Sequence, residues 1–223
     1  MIGQDIVDRA WIKALDEGAT KRWGSAEALL WVNDGRREIV NLVPSANTVR
    51  SVLQPVSGSR QTFSGLGLTK AFQVLDIPRN MDADGVTPGK VITKVPKAWL
   101  DQSRPSWHTE TATEADHWVA DPADPTAFSL YPAKSAGKIE VLAHTMPDDL
   151  TSLANSIGLS DIYANALQWF VLFSFYSKDS EHQKSAALAS QYASAFAQSL
   201  GVRATNTITS NRAAVVKAEG ETP

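Results

Sequence analysis

The residues able to do chemistry in this 223-residue chain are four histidines (His108, His117, His144 and His182) and 24 carboxylates. No two histidines stand three or four residues apart, the spacings that set two imidazoles on one helix face around zinc. His117 lies among Glu110, Glu114, Asp116, Asp121 and Asp124. Such a set offers either a carboxylate–imidazole metal site or an acid pair for hydrolysis. Residues 106–126 contain no Lys or Arg, so an acidic surface loop is the simpler reading. Asp82-Ala83-Asp84-Gly85 opens like a calcium loop but lacks the later ligands and closing Glu, and reads as a turn. Gly65-Leu66-Gly67 lacks the third glycine of a dinucleotide fingerprint, and no Gly-x-Ser-x-Gly elbow occurs. No catalytic residue, cofactor or metal is predicted.

Composition narrows the classes further. There is no cysteine, hence no disulfide framework, thiolate zinc site or thiol nucleophile. The 43% hydrophobic content is that of a globular chain, and a formal net charge of −3 lacks the basic excess of a dedicated nucleic-acid binder. The N-terminal residues show no signal-peptide pattern, no Asn-x-Ser/Thr sequon occurs, and the most apolar stretch, Ile162 to Tyr176, is broken by Asn165, Gln168 and Ser174. The expectation is a protein made and used inside a cell, or inside a particle assembled there, without a membrane partner.

The elements that must carry these residues follow from periodicity. Ile6, Val7, Ala10, Trp11, Ala14 and Leu15 mark one helical face, with Gly18 as the stop. A second helix runs from Ser25 through Leu29, Val32, Ile39 and Val40 to Pro44, its phase continuing across the turn-like Asn33-Asp34-Gly35. From Ser51 the pattern alternates, predicting strands at 73–77, 91–95, 128–131 and 139–143, with the last two joined as a hairpin through 132–137. Arg104 to Pro125 reads as turn-rich loop. Helical spacing returns after Met146, where Pro147, Asp148 and Asp149 suit a helix start. Ser160-Asp161 caps the apolar helix ending at Lys178, and Asp179-Ser180-Glu181 opens a last one with a Leu188, Tyr192, Phe196, Leu200 ridge and a small Ala/Ser face, stopped by Gly201. Residues 202–223 read as a polar arm.

The predicted class is therefore α+β: a mainly helical bundle from 1–50 and 147–201, a β-rich insertion over 51–146, and an extended arm over 202–223. Trp11, Trp31 and Trp169 fall in helical stripes and are expected in the core. Trp99, Trp107 and Trp118 either anchor loops or serve as interface anchors. The final helix presents Ala, Ser and Gln where a DNA-reading helix needs Arg, Lys or Asn.

Four stretches in this order resemble the head-to-tail adaptors (connectors) of short-tailed bacteriophages. They are Leu30-Trp31-Val32-Asn33-Asp34-Gly35 with Asn41-Leu42-Val43-Pro44; Leu100-Asp101 before Pro105-Ser106-Trp107; Phe128-Ser129-Leu130-Tyr131-Pro132; and Tyr176-Ser177-Lys178-Asp179-Ser180-Glu181 leading to Tyr192 and Phe196. The resemblance covers about Asp5 to Gly201 and rests on packing and turn motifs.

It implies a virion structural protein with no reaction of its own. Such adaptors form a ring, usually of twelve copies, beneath the portal in the virion neck. The tail tube or nozzle protein assembles on that ring, and genomic DNA passes through its channel. First and last helices pack together, and the β-rich module faces the tail. On that plan the portal contacts are expected from the arm at Arg203, Asn206, Ile208, Arg212, Val215, Val216 and Lys217, and tail or neighbour contacts at Trp107 and Trp118. Another virion component (a stopper or minor capsid protein), an acid-type hydrolase and a small nucleic-acid-binding module stay open as alternatives.

Overall fold

The computed structural model describes residues 1–16, 18, 20–178 and 184–201. The chain is mixed α+β, and its described residues divide into two compact units, one built from Met1–Ala46 with those from Pro147 on, the other from Asn47–Met146.

In the helical unit, α1 spans Gly3–Lys13 and α2 spans Ser25–Leu42. A single 3₁₀ turn at Asp161–Tyr163 leads into α3, Ala164–Lys178. A further helix, α4, covers 184–201. The Ser160 hydroxyl accepts the Ile162 N–H at 3.4 Å, the cap expected there. The helical opening expected at Asp179 lies outside the described residues. α3 packs on both α1 and α2, and Val171, Leu172 and Phe175 are fully buried. Trp23 stacks on Phe175 at 4.6 Å, Trp31 meets Phe175 edge-on at 5.2 Å, and the Tyr192 and Phe196 rings of α4 sit against Trp169 and Phe170. Trp11 is buried, whereas Trp31 and Trp169 are half-buried.

Two expectations for this unit are corrected. Leu15 is not on the buried face: α1 ends at Lys13, and Leu15 takes a left-handed backbone (φ 56°) with 88% of its surface exposed. It fills the position after the helix that glycine usually takes. Residues 147–160 are not helical. Their backbone groups bond outward instead, Leu153 and Asn155 carbonyls accepting from Gln4 and Gly3 N–H, so the acids after Pro147 start no helix.

The β unit is a sandwich of two four-stranded sheets. Its strands are β1 (Thr48–Leu53), β2 (Arg60–Thr62), β3 (Ala71–Met81), β4 (Pro88–Val91), β5 (Thr93–Lys94), β6 (Thr111–Ala112), β7 (His117–Ala120), β8 (Ala127–Tyr131), β9 (Ala133–Lys134) and β10 (Lys138–Thr145). One sheet has the order β1-β10-β3-β4 and the other β2-β8-β7-β5, while β6 pairs with β9 separately. Ile77, Ile139, Val141 and Ala143 from the first sheet meet Trp118, Phe128 and Leu130 from the second in one core. Burying these apolar faces at about 25 cal/mol per Å² is what holds the sheets together.

The hairpin expected between 128–131 and 139–143 is therefore not formed. β8 and β10 belong to different sheets, with β9 between them. Alternation puts Phe128, Leu130, Ile139 and Val141 on apolar faces, but the same pattern serves strands side by side or face to face. Thr48–Leu53 pairs with β10, so the β unit begins ahead of Ser51. The stretch taken for loop, 104–125, contains β6 and the interior strand β7. A short unforeseen helix, Lys97–Ser103, precedes it and caps a second small core of Leu100, Trp107, Val119 and Tyr131.

Candidate interaction site

Four of the five acids that could have formed a hydrolytic or metal site have partners of their own. Lys90 Nζ donates to Asp116 at 2.6 Å, Arg60 reaches Asp124 at 3.2 Å and Asp121 at 3.5 Å, and the Tyr131 hydroxyl donates to Glu110 at 2.8 Å. Hydrogen bonds from Thr126, foremost its hydroxyl, hold Asp124 below the usual carboxylate range. The Trp107 indole does the same for Asp101. Thr87 does so for Asp84, whose pKa falls to about 2. General acid–base work on a pair of carboxyls requires one that keeps its proton near neutral pH, and within the candidate set Asp124 is held ionised. His117 stacks on Tyr131 and meets Trp99 edge-on. Among the described residues no three His, Asp or Glu side chains converge as metal ligands do.

Each unit instead contains one buried asparagine paired with a buried cation. In the helical unit Asn33 and Arg36 are 6% and 4% exposed. Asn33 Nδ2 donates to the Leu150 carbonyl at 3.0 Å, and Oδ1 accepts the Leu150 N–H at 2.8 Å. Arg36 Nε donates to Ile157 O at 2.7 Å, and its Nη1 to Asp148 O at 2.7 Å and to Asn33 Oδ1 at 3.1 Å. Burial lowers the guanidinium pKa, opposed by Asp149 and Asp148, and the group stays charged. The irregular 148–157 segment is thus satisfied by α2 side chains, as buried backbone must be.

Between these two residues sits Gly35. A Cβ there would lie 2.7 Å from Leu167 Cδ1 and 2.8 Å from Phe170 Cδ1, so glycine is what admits α3. Asn33-Asp34-Gly35 reads as a turn in isolation, yet α2 runs through it because each residue has a helical-context job. Arg37 adds an outer pair of ion contacts, 2.6 Å to Asp34 and 2.6 Å to Asp149.

In the β unit Asn80 is 1% exposed. Its amide donates to Ala115 O at 2.7 Å and Lys90 O at 3.0 Å, and its carbonyl accepts from Ala115 N at 2.9 Å and Lys134 Nζ at 3.2 Å. Lys134 also donates to Thr113 O at 2.9 Å, and burial lowers its pKa against the pull of Glu114 and Asp82. Of the pair, Lys134 lines an open cavity of about 610 Å³ whose wall includes Asp82, Ala83 and Asp84. Neither asparagine–cation pair was visible in the sequence; a charged residue three positions after an asparagine on a buried helical phase was the available hint at Asn33.

The residues expected to touch partners divide as follows. Trp107 and Trp118 are 1% and 0% exposed. Trp107 donates to Asp101 at 2.9 Å and Trp118 to Asp76 at 3.2 Å, so both anchor the β unit internally and present no open face. Trp99, half-exposed, is the tryptophan of this region that reaches the surface. Arg203, Asn206, Ile208, Arg212, Val215, Val216 and Lys217 lie outside the described residues. The Ala/Ser face of α4, with Ala187, Ser190, Ser194 and Ala197, is exposed. No described helix is long and apolar enough to cross a membrane.

No curated protein matches the chain. A protein-family model described as SU10 adaptor protein matches residues 1–217. Coverage of nearly the whole length spans both units with their asparagine–cation pairs, and the chain belongs to the SU10 adaptor protein family of phage structural proteins.

Proposed function

We propose that the protein is a head-to-tail adaptor of a short-tailed phage, forming a ring of twelve copies in the virion neck between portal and tail. The observation that carries this reading is the adaptor-family match over residues 1–217. The ring joins the portal to a tail tube or nozzle protein, and DNA crosses its channel without chemistry. The small-residue face of α4 suits close approach of a neighbouring subunit, and cyclic rings are built from such heterologous contacts. Residues 202–223 make the portal contact, with Arg203, Arg212 and Lys217 supplying charge and Ile208, Val215 and Val216 apolar area.

The test is electron microscopy of the protein mixed with its portal. The expected image is an extra ring on the portal. Removal of residues 202–223 should abolish the ring while leaving the urea unfolding midpoint unchanged. A portal that gains no density with the full chain refutes the adaptor reading. A ring that persists after truncation refutes the role of the arm.

A further inference from the structure

We infer that the C-terminal end of α1 docks into a groove at the N-terminal end of α1 in a second copy of this chain, a head-to-tail contact that deepens the ring reading above and rests on it. The residue that points to it is Leu15. It follows the helix in left-handed backbone (φ 56°), which disfavours an L side chain, and 88% of its surface is exposed. Its placement is fixed from both sides. Leu15 N–H bonds to Ile12 O at 3.1 Å and Asp16 N–H to Trp11 O at 2.9 Å, the bonding of a Schellman turn whose left-handed position usually holds glycine. The Asp16 carboxylate accepts the Arg22 N–H at 2.9 Å, and the Asp16 carbonyl accepts from Lys21 Nζ at 2.7 Å. A hydrogen-bonded turn thus holds out a leucine against its backbone preference, beside Ile12, itself 58% exposed. A backbone cost with no packing return inside the subunit points to a contact outside it.

The same unit carries a receiving surface. A groove of about 380 Å³ has Gln4, Ala26, Leu29, Leu153 and Ala154 in its wall. Leu30, one turn along α2 from Ala26, adds an apolar lip that is 63% exposed. Gln4 is in the first turn of α1 and Lys13 ends it, about 14 Å away at a rise of about 1.5 Å per residue. Apolar knob and apolar groove therefore stand at the two ends of one helix. Charge follows the same polarity, since Asp5 and Asp8 precede Arg9 and Lys13 along α1, all four exposed. Asp8 accepts from Gln4 Nε2 at 2.7 Å and Asp5 from the Ile2 N–H at 2.9 Å, both neutral donors, so the groove end keeps its negative charge. Lys13 lies over the Trp169 ring at 3.8 Å, a contact that leaves its positive charge in place. Docked head to tail, the basic end of one α1 meets the acidic end of the next, which favours a second copy in this orientation over two like ends together. Repeated around an axis, such heterologous contacts generate a ring.

The experiment uses the absence of cysteine from the chain. Full-length Leu15→Cys and Ala154→Cys proteins are mixed at about 1 mM and oxidised, free and with portal present, and the linked peptides are mapped by mass spectrometry. A disulfide between positions 15 and 154 of different copies is expected, about tenfold above the 15-to-15 and 154-to-154 products. Adding Lys13→Glu to the Leu15→Cys protein should cut that yield about tenfold, and adding Asp8→Lys to the Ala154→Cys protein should restore it. Leu15→Gly, which removes strain and knob together, should raise the urea midpoint yet reduce the mass that the protein adds to portal. No 15-to-154 product, free or with portal, overturns the contact, and a dominant 15-to-15 product overturns its head-to-tail sense. A yield that Asp8→Lys does not restore overturns the charge pairing. A 15-to-154 link in free protein with a portal that gains no mass refutes the adaptor reading and leaves this contact standing. A ring on portal without the link overturns this contact alone.

Discussion

Replacing Arg36 with Leu removes three hydrogen bonds made by a buried cation, to Ile157 O, Asp148 O and Asn33 Oδ1. At about 2 kcal/mol for each bond from a charged donor, the gross loss is about 6 kcal/mol. Leucine also relieves the cost of keeping a guanidinium out of water, which returns about 3 kcal/mol. The net destabilisation is then about 3 kcal/mol. Arg36→Lys keeps the charge but loses the planar fork and should fall between. Urea unfolding followed by tryptophan fluorescence reads the change, since Trp11 and Trp23 lie in the same unit. A second readout separates this cause from general loosening. Leu150 N–H bonds to Asn33 Oδ1, so its hydrogen exchange should accelerate more than that of mid-helix amides in α3. An Arg36→Leu protein within about 0.5 kcal/mol of wild type, a surface-like change, would refute the claim that these bonds fasten 148–157.

Gly35→Ala should be destabilising by about 1 kcal/mol in chemical denaturation, because crowding against wholly buried Leu167 and the rigid Phe170 ring outweighs the helix propensity that alanine adds. By contrast, Leu15→Gly should stabilise by about 1 kcal/mol in the same assay, since it relieves a left-handed leucine whose side chain packs on little. Carboxyl NMR should find Asp84 titrating at about 2, and Thr87→Ala should move it toward 3.8. Burial lowers the pKa of His144, which contacts Thr48 at 3.2 Å. The unfolded chain therefore takes up this proton first as pH falls below 6.5, and stability drops from there down through the folded value. His144→Gln should flatten that part of the pH profile of the urea midpoint.

The legible parts of this molecule were those where a local pattern has a single tertiary meaning. The α1 stripe of Ile6, Val7, Ala10 and Trp11 is buried as its spacing predicts, and the phase across Asn33-Asp34-Gly35 outweighed the turn propensity of those residues. Illegible parts were those where distant partners decide. Pro147-Asp148-Asp149 looks like a helix start until Arg36 and Asn33, more than 100 residues away, take its backbone groups. His117-Trp118-Val119-Ala120 sits in a polar, turn-rich stretch, and its strand character comes from Trp118 filling the sandwich core. The acidic composition of 106–126 is plain in the sequence, but the cations that pair with Asp116 and Asp124, Lys90 and Arg60, lie 26 and 64 residues away.

The adaptor reading turns on stoichiometric binding to a portal. Mass photometry of isolated portal, before and after addition of excess protein, measures it directly. Twelve copies of a 24.1 kDa chain predict a single step of about 290 kDa, saturating without intermediate species if the ring closes cooperatively. A portal whose mass does not change would contradict the account.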